Sequence, residues 1–109
     1  MAGYFELKSS SNAQYMFNLK AANHQVILTS EQYSSKAAAE GGIESVKKNA
    51  PNDARYQRKV AKDNSPFFVL VAANGEPIGR SEMYSSASAM ESGIASVKAN
   101  APTATVKSA

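Results

Sequence analysis

The sequence predicts an α+β fold in which two copies of one unit build a single small domain. Three observations predict it: the chain repeats itself, each copy opens with short strand-like runs, and each copy closes with an apolar stripe at helical spacing. Sliding the 109-residue sequence against itself by 51 positions aligns Gly3 to Pro51 with Ala54 to Pro102 without a gap, and 21 of the 35 pairs between Phe17 and Pro51 are identical. A chain of this length has room for one modest core but not for two independent ones, so the copies must share their burial. With only two copies of a unit far longer than a heptad, a closed pair with pseudo-twofold symmetry is expected rather than a solenoid. Residues 1–109 therefore read as one domain, with the first repeat at about 3–53 and the second at about 54–109.

In the first copy the runs Tyr4 to Lys8, Tyr15 to Ala21 and Val26 to Thr29 read as strands of an antiparallel meander, and the second copy repeats them. Asn23-His24 and Asn74-Gly75 read as tight two-residue turns. A type I′ turn needs positive φ at both central residues, which suits Asn-Gly and is tolerated by His24. Beyond Tyr33, Ser34 or Ser35 is placed to cap a helix whose apolar positions Ala39, Ile43, Val46 and Ala50 recur at spacings of four, three and four. Met90, Ile94, Val97 and Ala101 form the same stripe in the second copy. Gly42 and Gly93 lie beside it, where a missing side chain lets the helix approach the sheet. Lys47 and Lys98 favour the helix end electrostatically, Asn49 or Asn100 suits a left-handed terminating residue, and the following Pro stops the helix. The segment Arg55 to Val60 follows the first helix and also aligns with the opening strand Tyr4 to Ser9, so it can serve both copies. Thr103, Thr105 and Val106 suggest an equivalent closing strand at Thr103 to Lys107.

Composition narrows the chemistry. With 43% hydrophobic and 19% charged residues the chain is of ordinary globular type. Its longest apolar run, Phe67 to Ala73, is too short to span a bilayer, and its first residues lack a secretory signal, so a cytoplasmic location without membrane partners is expected. The absence of cysteine removes thiolate chemistry, and a single histidine cannot build a histidine-rich metal site, so neither cofactor nor metal is expected. No nucleophile is accompanied by a recognisable base, and a non-enzymatic role follows.

The motifs Ala-Ala-Asn, Ser-Glu-x-Tyr-Ser-Ser and Gly-Ile-x-Ser-Val-Lys-x-Asn-Ala-Pro occur twice, at fixed spacing. In them the chain resembles the YegP-like family of small uncharacterised bacterial proteins, also called DUF1508 or UPF0339. The resemblance covers essentially the whole chain. It implies two tandem β(3)-α-β repeats sharing one mainly antiparallel sheet with helices packed on it and exchanging their last strands, an exchange for which Arg55 to Val60 would be the shared strand. It supplies no activity. Ala87 and His24 depart from the pattern: Ala87 stands where Lys36 stands in the first copy, and His24 occupies a turn position.

Four groups of residues are candidates for function. Ser34, Ser35 and Lys36, with Ser85 and Ser86, offer hydroxyls at helix N-termini, where free N–H groups attract anions; ordinary capping is the competing role. From Lys47 to Lys62, the cations Lys47, Lys48, Arg55, Arg58, Lys59 and Lys62 face only Asp53, a stripe able to grip nucleic-acid phosphates with Tyr56 as a stacking ring, or simply a solvated surface. Phe67, Val69 and Val71 make the second copy's strand apolar on the face opposite Phe68 and Leu70, and Ile78 is expected to lie across from Val71; either the tail after Pro102 covers this patch or it meets a protein partner or a second copy. Glu31 and Glu82 are a carboxylate pair only if the fold brings them together, and His24 reads as an exposed turn residue. The expected function is a non-catalytic interaction or structural module with an unidentified partner; the alternatives are a nucleic-acid binder through the basic stripe and a small-anion binder at the serine caps.

Overall fold

The computed structural model describes residues 3–9 and 12–108. Along them run β1 (Tyr4–Ser9), β2 (Tyr15–Lys20), β3 (Val26–Ser30), α1 (Lys36–Asn49), β4 (Tyr56–Val60), β5 (Pro66–Val71), β6 (Pro77–Arg80), α2 (Ala87–Asn100) and β7 (Thr105–Ser108). The strands form one seven-stranded sheet in the order β4-β5-β6-β3-β2-β1-β7. All pairings are antiparallel except β1 with β7, which is parallel. The two meanders meet where Thr29 pairs with Arg80. These residues are 51 positions apart, so the pair is its own image under the repeat and marks the pseudo-twofold axis.

Both helices cover the same face. Phe5, Phe17, Leu19, Leu28, Phe68 and Leu70 point to it and are wholly buried, together with Val46 and Val97 from the two helices. The expected stripes are in place, from Ala39 to Ala50 and from Met90 to Ala101. Each helix also contacts strands of the other copy, α1 reaching β5 and β6 and α2 reaching β3, which is how the repeats share one core.

The repeated motifs account for the architecture. Ser30 Oγ accepts the Phe17 N–H at 2.8 Å and donates to the Glu31 carbonyl, and Ser81 does the same for Phe68 and Glu82. The Tyr33 ring stacks on Phe17 and Tyr84 on Phe68. Each phenol lies over the glycine of a helix, and a Cβ on Gly42 or Gly93 would collide with its tyrosine ring. Ser35 and Ser86 cap α1 and α2 by accepting the Ala38 and Ala89 N–H groups. Lys47 lies over the Phe5 ring and Lys98 over Tyr56, at 6.0 and 5.6 Å.

Two local expectations are corrected. The β2–β3, β4–β5 and β5–β6 hairpins do not use type I′ turns. In the first of these Ala21 pairs with Gln25, the His24 N–H returns to the Ala21 carbonyl, and the turn's one left-handed residue is His24, at φ 70°. Asn64 and Gly75 take that place in the others, at φ 68° and 86°. A three-residue loop closed by a left-handed residue needs only one positive φ, which is why histidine and asparagine serve as well as glycine. Nor do Asn49 and Asn100 end their helices in a left-handed conformation, since the capping residues Ala50 and Ala101 stay right-handed. Their side chains instead donate back to Ser45 and Ser96.

The strand exchange is present. After α2 the chain crosses to the far edge, where β7 pairs with β1 of the first copy. After α1 the chain enters β4, which is at once the strand following the first helix and the opening strand of the second meander. The two edges therefore differ. β1 is covered and Leu7 is buried, whereas β4 is the sheet's edge and carries Arg58 at the aligned position. The Arg58 guanidinium binds Glu91 through Nε and Nη2, at 2.6 and 3.0 Å, and also Asp53, which Lys98 meets from the other side at 2.7 Å. An inward-pointing charge on an edge strand deters pairing with another chain. Lys98 and Arg58 hold the Asp53 carboxyl below its ordinary range, and Arg58 does so for Glu91, so the cluster is present at neutral pH and lost as acid protonates them.

Gly93→Ala forces the Tyr84 ring out of its seat and should cost about 1–3 kcal/mol of stability by chemical denaturation, the usual cost of overpacking. Arg58→Leu should give a folded chain that self-associates in sedimentation at neutral pH where the parent does not, whereas an unchanged sedimentation profile would deny Arg58 its role at the edge.

Candidate nucleic-acid interface

The face of the sheet away from the helices is defined by the strand registers. One row crosses all seven strands: Lys107, Glu6, Asn18, Thr29, Arg80, Val69 and Gln57, each paired with the next. Paired residues share a face, and side chains alternate along each strand, so Tyr4, Lys8, Lys20, Lys59, Phe67 and Val71 lie on this face too. Its strand residues include Lys8, Lys20, Lys59, Arg80 and Lys107 against Glu6 alone, a surplus of four, whereas the chain's other seven cations meet eight acids, of which Glu82 borders Arg80 and Thr29. The positive charge of the molecule is therefore concentrated on the side that no helix covers.

The two halves of the face differ. In the first copy Glu6 sits between Lys20 and Lys8, at 2.9 and 3.2 Å, and these cations hold its carboxyl below the ordinary range. Asn18 donates to Thr29. Lys107 reaches over the Tyr4 ring at 4.6 Å, and the Tyr4 hydroxyl meets His24 Nδ1 at 2.8 Å. In the second copy Gln57 replaces Glu6 and Val71 replaces Lys20. Among the described residues Lys59 and Arg80 then have no carboxylate partner, and they border the strip of Phe67, Val69 and Val71. Phe67 and Val69 are half-buried and Val71 is buried outside the helix-side core.

The structure redistributes the basic stripe. Tyr56 cannot stack on a base: it is buried in the core and donates its hydroxyl to the Ala50 carbonyl, and burial pushes its phenol pKa strongly up. Arg58 is paired at the β4 edge, Lys47 lies over Phe5, and Arg55 donates through Nε to Asn49. Lys48 is exposed on α1, and Lys62 in the β4–β5 loop. Only Lys59 of the stripe lies on the open face.

Two expectations about the apolar patch are also overturned. The tail does not cover it, because β7 lies beside β1 at the opposite edge from β4 and β5. Ile78 is not part of it: Val71 pairs with Pro77, and the register shift between Leu70 and Val71 turns Ile78 into the core, where it is 4% exposed.

Ser34 and Ser85 stay exposed beside the capping serines. Lys36 borders a small cavity with Lys8, Tyr15 and Ser108 rather than joining the caps. Among the described residues no group of three histidine or acidic side chains is arranged to hold a metal ion, and no helix is long and apolar enough to cross a membrane.

Sequence reasoning missed Lys8, Lys20, Arg80 and Lys107 because they are scattered along the chain and converge only through strand order. The available signal was alternation, since each occupies the strand phase opposite a buried apolar residue.

A family model described as a domain of unknown function, DUF1508, matches this chain twice, at residues 10–57 and 61–108. A UPF0339 protein of Bordetella pertussis is 64% identical over 107 residues, covering 98% of this chain and 96% of that protein. The UPF0339 protein YegP of Escherichia coli O157:H7 is 54% identical, covering 98% and 97%. The solution NMR structure of YegP from E. coli, a protein of unknown function, superposes with a TM-score of 0.94 at 53% identity over 99% of this chain and 93% of that one. A UPF0339 protein from Shewanella oneidensis, also solved by NMR, gives 0.93 at the same identity, covering 99% and 92%.

Proposed function

Since the chain belongs to the DUF1508 family, a domain of unknown function, we propose from its geometry that it is a non-catalytic module binding single-stranded nucleic acid across the open face of its sheet. The observation that carries this reading is the separation of charge: a surplus of four cations on that face and one excess acid on the rest of the chain. A phosphate backbone is attracted to such a face and displaces its own counterions on binding. Seven strands at about 4.8 Å spacing make the cross-sheet row about 29 Å long, room for several nucleotides. Lys59 and Arg80 supply charge that is not held in an ion pair among the described residues, while Phe67 offers ring surface for an unpaired base. A duplex keeps its bases stacked inside and gains nothing from that ring, so the reading favours single strands.

Fluorescence anisotropy with labelled single-stranded and duplex oligonucleotides tests it. The expected result is single-strand affinity that falls steeply with salt, drops about tenfold or more in Lys59→Ala/Arg80→Ala, and drops again in Phe67→Ala. Lys47→Ala/Lys48→Ala, on the helix side, should bind as the parent does. No binding at low salt, or losses that follow Lys47 and Lys48, would overturn the reading, and the first outcome would leave Phe67, Val69 and Val71 as the seat of a protein partner.

A further inference from the structure

We propose that the cleft between the two copies on the helix side is a binding site for a small ligand that carries an amine beside hydroxyl groups. The cleft has a volume of about 670 Å³, within the range of small-molecule sites. One wall is the end of the β2–β3 hairpin, with Asn23, Gln25 and Ile27; the other is Glu82, Tyr84 and the α2 face bearing Ser92 and Ser96. Neither copy alone has both walls. The site exists because the halves are paired.

The chemistry of the walls selects the ligand. Glu82 is exposed, is the one charged residue among those that line the cleft, and has no ion-pair partner among the described residues. It therefore favours a cation and repels phosphate. The Tyr84 phenol is half-buried and has no hydrogen-bond partner among the described residues, and burial together with Glu82 raises its pKa, so it remains a donor. Ser92, Gln25 and the Asn23 amide add neutral donors and acceptors, and Ile27 and Ala89 give the cleft apolar surface. A ring with hydroxyl groups on its rim, an apolar face and one ammonium matches this set.

The pseudo-twofold supplies an internal control. At the symmetry-related place Glu31 and Tyr33 recur, but Glu76 stands for Gln25, Pro77 for Val26 and Gly41 for Ser92. That side has an additional carboxylate and one hydroxyl fewer, so the two places differ in what they accept. The cleft opens on the helix side of the sheet, and its residue Glu82 also borders Thr29 and Arg80 of the open face.

Glucosamine is a suitable probe because it carries an ammonium beside ring hydroxyls, and glucose differs only in carrying a neutral hydroxyl in place of that ammonium. Titrated into the 15N-labelled full chain near neutral pH, glucosamine should shift the amides of Asn23, Gln25, Ser92 and Ser96 in a saturable way. Glucose should bind about tenfold or more weakly. Glu82→Gln, at an exposed position that leaves the fold intact in its own spectrum, should remove that preference, and Ser92→Gly, the residue of the related place, should weaken glucosamine with Glu82 in position. Equal shifts from glucose and glucosamine, a preference that survives Glu82→Gln, or shifts absent from these four amides would each overturn the proposal.

Discussion

The pairing of β3 with β6 at Thr29 and Arg80 is the constraint on which the other features depend. A three-stranded meander with one helix exposes too much apolar surface to stand alone, and in this chain each helix completes its burial on strands of the other copy. Joining the meanders edge to edge makes one sheet with both helices on one side, and the twofold at the joint brings β7 back to the first copy. The joint also decides which face stays open. A sheet covered on one side only leaves alternate residues of every strand free of the core, and the molecule's excess positive charge lies on that side.

Much of the fold was legible because the repeat states it twice. Ala39, Ile43, Val46 and Ala50 gave the helix by spacing, and the same positions in the second copy removed the ambiguity of a single short stripe. Gly42 was legible as a point of close approach, although what approaches is the Tyr33 ring rather than the sheet itself. Turn type was not legible, because Asn-Gly suits both a two-residue turn and the last positions of a three-residue one; the β-bulge that distinguishes them lies in hydrogen bonds the residues do not spell out. The register shift between Leu70 and Val71 was equally hidden, and it explains why Ile78 was misplaced. A one-residue register shift moves a side chain from one face to the other, and no local pattern around Pro77 announces it.

The candidate site was less legible, for a related reason. Lys47 to Lys62 looked like one surface because the cations are neighbours in sequence, yet they are spread over a helix end, a short turn, an edge and a loop. The cations that do share a surface, Lys8, Lys20, Lys59, Arg80 and Lys107, are brought together by strand order. The two repeats agree at many core and capping positions and differ along the open face. Phe17, Leu19, Ser30, Tyr33, Ser35, Gly42 and Val46 all recur, whereas on the open face Met16 becomes Phe67, Asn18 becomes Val69, Lys20 becomes Val71 and Thr29 becomes Arg80. Residues repeated for architecture explain the fold, and the unrepeated ones give each half of the open face its own character.

The most direct measurement of the proposed binding is methyl NMR of the 13C-labelled chain with an unstructured single-stranded oligonucleotide at low salt. Val69 and Val71 report from the open face, and Ile43, Val46, Ile94 and Val97 report from the helix-side core. The account predicts saturable shifts of the Val69 and Val71 methyl groups while the other four stay in place. Shifts confined to the helix-side methyls, or none at saturating oligonucleotide, would contradict it.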